Sequence, residues 1–339
     1  MRSPYAIRVR HLWHRFGTRT VLQDVSFDVA HGEIFGFIGP NGAGKTTTIR
    51  AMATLLEPMA GRIEIDGIDV SVNPEQVRKI IGYMPDHAGV YERITVREYL
   101  DFFAHAFRVP SLDIVDAVLE LTDLGKLQDR LVVEMSKGMK QRLQLARILL
   151  HDPKVLILDE PASDLDPRAR IEIRDLLLEL RSLGKTIFLS SHILTELSDV
   201  CTSVAILERG RLVVSGPIGE IAQRLAHARN APPPPAPSPE EVTATTPAGV
   251  PIPPAAHRKL KLRILGQAQA AAPYLQGGPG IVGVEAHGDT LMVGYVGDDS
   301  LIAAMVRHLV MNGVPVIGVE PERNELERIF LEVTRGELQ

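Results

Sequence analysis

Several common features are scarce or missing in this sequence. It has one cysteine, Cys201, so no disulfide can form within the chain, which suits a reducing cytosol. No apolar run approaches the ~18 residues of a membrane-spanning helix, and the N-terminus lacks the apolar core of a signal peptide. Any work at a membrane would therefore need a separate spanning chain. The formal net charge of −5 and the lack of a Lys/Arg block argue against a nucleic-acid partner.

What the sequence does contain is enough apolar material for two domains. Its 339 residues are 45% hydrophobic, so a sizeable core can form. Ten of the 24 prolines fall between residues 232 and 254, and such a segment cannot bury a core. We therefore predict a first domain over residues 1–228, a Pro-rich linker over 229–257 and a small second domain over 258–339.

A glycine-rich stretch fits the phosphate-binding pattern G-x-x-x-x-G-K-[ST] at every fixed position. The apolar run Ile34–Ile38 before it predicts a buried strand, and Thr46–Met52 after it predicts a helix start. Glycines let backbone N–H groups turn toward a phosphate, and the helix N-terminus adds its own unpaired N–H groups. Lys45 would neutralise the β- and γ-phosphates, and Thr46 would offer its hydroxyl to Mg²⁺. The stretch comprises Gly39, Pro40, Asn41, Gly42, Ala43, Gly44, Lys45 and Thr46.

A second signal is an apolar strand that ends in two carboxylates. The run Val155–Leu158 is typical of a central parallel strand, and ligands bind at the C-terminal ends of such strands. Asp159 follows the run and is placed for Mg²⁺, while the next residue, Glu160, could polarise an attacking water. His192 follows another strand, and from the residues alone it is either a structural imidazole or a functional one.

A serine-glycine pair, Ser136 and Gly138, precedes a helix about 90 residues beyond the glycine-rich stretch. Taken alone, the pair is only a helix cap, but its position just before the acidic strand favours a functional role.

The remaining periodicity outlines the rest of both domains. Residues 7–29 alternate as strands, residues 95–150 have helical periodicity, and residues 171–183 form an amphipathic helix. After residue 258 the order β-α-β-β-α-β is that of a ferredoxin-like α+β unit. A final helix is predicted over residues 325–333.

Together these motifs resemble the ATP-binding subunit of an ABC transporter over residues 6 to about 225. The resemblance implies an α/β P-loop NTPase of the ABC type, with a parallel core sheet, an antiparallel β subdomain and a helical subdomain. Residues 39–47, which add Thr47, look like the Walker A loop, and Val155–Glu160 look like Walker B. The resemblance assigns catalysis to Glu160 and the switch histidine His192, and nucleotide contacts to Phe16 (base stacking), Ser136 and Gly138 (signature motif) and Asp166 (D-loop).

Two motifs depart from the family pattern. The signature motif, usually Leu-Ser-Gly-Gly-Gln, has Lys137 and Met139 in place of its first glycine and its glutamine. Similar forms occur in exporters with separate membrane subunits. Asp86 stands where the family usually has the Q-loop glutamine, and it could still approach Mg²⁺ or its water beside Thr46 and Asp159.

The segment Asn324–Leu331 resembles the tail of ATPase subunits of the ABC-2 exporter class.

The resemblance implies an ATPase, with ATP and Mg²⁺ as ligands, that drives a separate membrane permease, and the tail favours ABC-2 type export. Two nucleotides would be sandwiched in an ATP-induced homodimer, each signature motif closing on the γ-phosphate held by the other subunit. We expect no nucleic-acid partner. The protein would lie in the cytoplasm, peripheral on the inner face of the cell membrane.

Two other functions stay open. One is a non-transport soluble ABC ATPase that acts on DNA or ribosomes, but such proteins usually carry a long coiled coil or two ATPase units in one chain. The other is a regulatory nucleotide-binding module with little turnover, which only Asp86 suggests. A basal ATPase assay separates this module from the other two functions.

Overall fold

The computed structural model describes residues 3–86, 89–111, 113–193, 197, 199–221, 224, 258–266, 268–278, 280–295 and 299–321. Contacts divide the chain into two compact units, which are described separately: the first contains the strands up to Pro217, and the second contains those from Arg258 onward. The predicted linker over residues 229–257, the predicted helix over 325–333 and the exporter-like tail lie outside the described residues.

The first unit mixes strands and helices along its length. Its strands are β1 (Tyr5–Phe16), β2 (Arg19–Ala30), β3 (Ile34–Ile38), β4 (Ala60–Ile65), β5 (Ile68–Asp69), β6 (Ile81–Met84), β7 (Val155–Leu158), β8 (Thr186–Ser191), β9 (Ser203–Glu208) and β10 (Arg211–Pro217). Its helices are α1 (Lys45–Met52), α2 (Pro74–Ile80), α3 (Val96–Ala106), α4 (Asp113–Leu121), α5 (Lys137–Leu149) and α6 (Pro167–Ser182), with short 3₁₀ turns at Gly125–Leu127 and Val132–Glu134. Among the described residues no helix is long and apolar enough to cross a membrane.

The larger sheet of this unit has the strand order β10-β9-β3-β8-β7-β6. The neighbouring pairs β9–β3, β3–β8, β8–β7 and β7–β6 are parallel, and β10 is antiparallel to β9 at one edge. Every residue of β3, β7 and β8 is buried, as the continuous apolar runs predict for parallel strands covered on both faces. The parallel pairing places the ends of β3 and β7, and hence the glycine-rich loop and Asp159, at the same edge of the sheet.

The smaller sheet is antiparallel, with the order β2-β1-β4-β5, and it packs on the larger one. Alternating residues of β1 and β2 face this shared core, which is why the sequence alternates over residues 7–29. Phe27 on β2 stacks on Phe35 of β3 at 5.6 Å between ring centroids and on Phe188 of β8 at 5.8 Å. These aromatic contacts join the two sheets into one hydrophobic core.

The predicted helices are present, but one of them begins earlier than predicted. Residues 95–150 form α3, α4 and α5 with the short 3₁₀ turns between them. Helix α6 begins at Pro167 rather than at residue 171, because Asp166 caps it and proline is favoured at a first helical position. The side chain of Asp166 accepts a hydrogen bond from the N–H of Ala169 at 2.9 Å.

The second unit has the predicted ferredoxin-like topology. Its elements are β11 (Arg258–Ile264), α7 (Ala272–Leu275), β12 (Ile281–His287), β13 (Thr290–Tyr295), α8 (Asp299–Met311) and β14 (Val316–Pro321). The sheet order is β12-β13-β11-β14, and all the pairs are antiparallel. The last strand begins at Val316 rather than at residue 314, because the N–H of Val314 still closes α8 by donating to Leu309.

Candidate functional site

The glycine-rich loop joins the buried strand β3 to helix α1, as predicted. Gly42 has φ 80° and Gly44, the residue before α1, has φ 112°, so both occupy backbone conformations that favour glycine. A Cβ atom on Gly39 would lie 2.3 Å from the backbone oxygen of Leu207, so no side chain fits there. The loop therefore combines glycine backbone conformations with a following helix N-terminus, and this combination suits an anion.

Lys45 is held inside this loop. Its side chain is 6% exposed, and Nζ donates a hydrogen bond to the backbone oxygen of Gly39 at 2.7 Å. Nζ also lies 3.2 Å from Oε1 of Glu160, which follows β7. The predicted phosphate-binding lysine and the predicted catalytic carboxylate therefore form a buried ion pair.

Glu160 contacts a second predicted residue as well. Its Oε2 lies 2.8 Å from Nδ1 of His192, just past the end of β8. Its backbone has φ 51°, a left-handed conformation that is uncommon for a residue with a side chain and that aims the carboxylate toward the loop. The two predicted catalytic residues, Glu160 and His192, are therefore in contact through one carboxylate oxygen of Glu160. Lys45 contacts the other oxygen.

Asp159 is fixed by a residue that the sequence analysis did not single out. The hydroxyl of Ser190 donates to Oδ1 of Asp159 at 2.6 Å and accepts the N–H of Glu160 at 3.0 Å. Ser190 is fully buried near the end of β8, the strand beside β7. The available signal was the pair of serines that ends an otherwise apolar strand, since buried hydroxyls need hydrogen-bond partners.

The pKa of the Asp159 carboxyl is raised, chiefly because burial disfavours the charged form. The charges of Asp86 and Glu160 raise it further, while hydrogen bonds from Ser190 and Thr46 act in the opposite direction. Of the three predicted metal ligands, Thr46 and Asp86 therefore both lie close enough to Asp159 to change its pKa.

The side chains of these three residues offer the oxygen donors that Mg²⁺ prefers. Mg²⁺ is usually bound through one or two carboxylates together with substrate phosphates, and the hydroxyl and carboxylates here are all oxygen donors. Among the described residues no group of three or more His, Cys, Asp or Glu side chains is arranged to hold a metal ion by itself. An oxygen donor set with few carboxylates suits Mg²⁺ that is bound together with substrate phosphates.

The predicted signature and D-loop residues have local roles within the single chain. Ser136 caps α5 by accepting the N–H of Met139 at 3.3 Å, and Asp166 caps α6. Gly138 packs so closely on α6 that a Cβ there would lie 2.7 Å from the Cβ of Ala169. Nearby, Lys137 forms an ion pair with Asp164 at 3.1 Å. Their predicted contact with a nucleotide held by a second copy stays a prediction.

Another buried polar contact was not anticipated. The side chain of Gln141 on α5 is 6% exposed and donates to the backbone oxygen of Pro161 at 2.9 Å. It ties the helix that follows the signature motif to the chain directly after Glu160. A polar residue on the buried side of a helix is the signal that could have indicated it.

Phe16 stands at the end of β1 with 52% of its side chain exposed. Its ring meets that of His14 edge to face, with 4.6 Å between centroids. A half-exposed aromatic ring is able to stack on a flat base. The stacking role of Phe16 stays a prediction.

Known proteins that are similar to this chain include ATP-binding proteins of ABC transporters. The profile of the ABC transporter family matches residues 22–163. The chain is 38% identical over 219 residues to the bacitracin transport ATP-binding protein BcrA of Bacillus licheniformis, covering 64% of this chain and 72% of BcrA. It is 39% identical over 217 residues to the Nod factor export ATP-binding protein I of Rhizobium sp. (strain N33), covering 63% of this chain and 71% of that protein.

Other relatives are matched over a smaller part of their length. The chain spans 57% of an uncharacterized ABC transporter ATP-binding protein of Synechocystis and 64% of the protein YhcH of Bacillus subtilis, at 37% and 43% identity. A solved ATP-binding subunit of an ABC transporter superposes with a TM-score of 0.59 at 33% identity, covering 67% of this chain and 95% of that one.

Proposed function

The chain belongs to the ABC transporter family of ATP-binding proteins, and from that premise we propose that it binds ATP with Mg²⁺ at residues 39–47 and hydrolyses it. The observation that carries this proposal is the buried pair of Lys45 and Glu160 at the glycine-rich loop, with the partly exposed His192 on the same carboxylate. An anion-binding loop, a carboxylate at its edge and an imidazole on that carboxylate are the groups that phosphoryl transfer to water requires.

Each residue has a definite part in this chemistry. The loop N–H groups and Lys45 bind the phosphates, and Glu160 accepts a proton from the attacking water. His192 hydrogen-bonds to Glu160 and orients both the carboxylate and the γ-phosphate. Thr46, Asp159 and Asp86 would hold Mg²⁺, which neutralises charge on the phosphates when it is bound. Phe16 stacks on the base.

The second part of the proposal concerns assembly. Ser136, Gly138 and Asp166 are presented at the N-termini of α5 and α6, and we assign them to the γ-phosphate site of a second copy in an ATP-induced homodimer. Nucleotide binding closes the pair because the nucleotide contacts both copies only in the closed form.

The third part concerns transport. The family and the relatives named for bacitracin transport and Nod factor export favour an export-type subunit that drives a separate membrane permease from the cytoplasmic face. The described helices include no span of their own, so a permease would supply the membrane passage. We assign residues 1–228 to the ATPase, residues 229–257 to the linker and residues 258–339 to the C-terminal domain.

Two measurements test the proposal. Steady-state hydrolysis of ATP with Mg²⁺ by the purified chain is expected, and its absence at any ATP concentration would favour the regulatory nucleotide-binding module. Co-purification from detergent-solubilised native membranes is expected to recover a polytopic partner with about six membrane spans. Recovery of soluble partners alone, with no membrane-bound fraction of the protein, would overturn the transport role and favour a non-transport ATPase.

A further inference from the structure

One buried side chain near the proposed nucleotide site has no hydrogen-bond partner. His14 on β1 is 8% exposed, and neither of its ring nitrogens bonds to any of the residues that the structure describes. A buried polar group without a partner costs about 1–3 kcal/mol, so native proteins rarely keep one without a reason. A leucine or phenylalanine would fill the same place without that cost.

The position of His14 suggests the reason. Phe16 lies two residues further along β1, so the two side chains share a face of the strand, and their rings are in contact at 4.6 Å. Across the sheet His14 pairs with Leu22 of β2. A Cβ on Gly44 would lie 2.7 Å from Cδ2 of Leu22, so Leu22 packs directly on the glycine-rich loop. His14 therefore neighbours both Phe16 and Leu22, the residue that packs on the loop.

We propose that His14 hydrogen-bonds to a ribose hydroxyl of the bound nucleotide and so favours ribonucleotides over deoxyribonucleotides. This inference rests on the proposed function, in which Phe16 carries the base and the loop carries the phosphates. The sugar joins these two parts of the ligand, and we place it beside His14 because His14 neighbours Phe16 and the loop-packing Leu22. A neutral imidazole offers one donor and one acceptor, which is also what a hydroxyl offers.

Phe16 has the freedom that this contact requires. It is the last residue of β1, its ring is 52% exposed, and it is followed by Gly17 at φ 58° in the turn to β2. When the ring of Phe16 turns to stack on a base, its edge-to-face contact with His14 opens on the side of the ligand. The ring nitrogens of His14 then gain a hydrogen-bond partner that none of the described residues provides.

The test compares the affinity of the full chain for ATP, 2′-deoxyATP and 3′-deoxyATP by calorimetric titration. We expect at least one deoxy analogue to bind wild type about 3–10-fold more weakly than ATP, which is the worth of one hydrogen bond. His14→Phe keeps a ring against Phe16 but removes both nitrogens, and it should bind all three nucleotides within about twofold of one another. His14→Gln, which keeps a donor and an acceptor, should retain part of the preference.

A matched control lies on the same strand. His11 is an exposed imidazole, 75% accessible and bonded to Asp24, so His11→Phe should keep the wild-type preference. An equal preference in wild type and His14→Phe, or no preference in wild type, would overturn the role of His14. These results would leave the proposed function intact, whereas failure of the wild-type chain to bind ATP at all would sink the proposed function itself. If His14→Phe does not fold, the wild-type preference and the His14→Gln result still decide the question.

Discussion

Lys45 and Glu160 form a buried ion pair, with 3.2 Å between Nζ and Oε1. The two residues come from different βα connections, one after β3 and one after β7, and both side chains are about nine-tenths buried. Each charge offsets the cost of burying the other, so removal of either one leaves an unpaired charge inside the protein. A triphosphate bound at the loop would compete with Glu160 for the same ammonium group.

Glu160→Gln should lower the turnover number of ATP by roughly 10²–10⁴-fold, because an amide cannot accept the proton of the attacking water. ATP-induced association of two copies should survive, since the amide keeps the size of the carboxylate. Turnover and size-exclusion chromatography with and without ATP measure the two effects. Glu179→Gln removes an exposed carboxylate in the last turn of α6 and serves as the control. Unimpaired hydrolysis in Glu160→Gln would remove this residue from its role.

Lys45→Ala should abolish tight ATP binding, because the phosphates lose the one ammonium group that the loop places on them. The control is Lys154→Ala, which removes an exposed lysine that pairs with Asp66 at 2.5 Å just before β7. The control should bind ATP as wild type does. Titration with a fluorescent ATP analogue measures both, and a normal affinity in Lys45→Ala would contradict the assignment of the loop.

Ser190→Ala should reduce the turnover number about tenfold or more with little change in KM. The variant loses the hydrogen bond that holds the Asp159 carboxylate in place, and it leaves the buried N–H of Glu160 unpaired. The free energy of unfolding should therefore also fall by about 1–3 kcal/mol. Ser190→Thr, which keeps the hydroxyl, should recover part of the rate. An effect on stability with an unchanged rate would mean that Ser190 has no part in positioning the two carboxylates.

Gly138→Ala should destabilise the first unit by about 1–3 kcal/mol, because its new methyl group meets the Cβ of Ala169 at 2.7 Å. Adding Ala169→Gly removes the opposing methyl group, so the double variant should regain part of the lost stability in urea unfolding. If Gly138 also contacts a nucleotide on a second copy, ATP hydrolysis stays low in the refolded double variant. Full recovery of hydrolysis would show that this glycine matters only for helix packing.

Cys201 should resist alkylation in the native protein. Burial raises the pKa of its thiol far above the usual range, and its sulfur packs against Gly36 in the core. Iodoacetamide at pH 8 should modify the chain within minutes in urea but not under native conditions, as followed by intact-mass spectrometry. Rapid native alkylation would contradict the packing of β3 against this residue.

Features that depend on contiguous residues were predictable from the sequence. The glycine-rich loop needs glycines at set positions and a lysine next to a helix start, so residues 39–46 could be predicted from their order alone. The fully apolar run of β7 with two acids behind it identified a buried strand with polar residues at its C-terminal end, where we predict the ligand. The ferredoxin-like order of the second unit followed in the same way from its alternating segments.

Features that depend on which strands are neighbours were decided by the tertiary structure alone. Ser190 reaches Asp159 because β8 lies beside β7, and Lys45 reaches Glu160 because the ends of β3 and β7 share one sheet edge. The burial of His14 and the contact between Gly138 and Ala169 arise in the same way, from packing between segments far apart in the chain. The sequence by itself determined which local elements and which chemical groups exist. Only the folded chain decided which groups meet, because contacts over such separations depend on how sheets and helices pack rather than on local propensity.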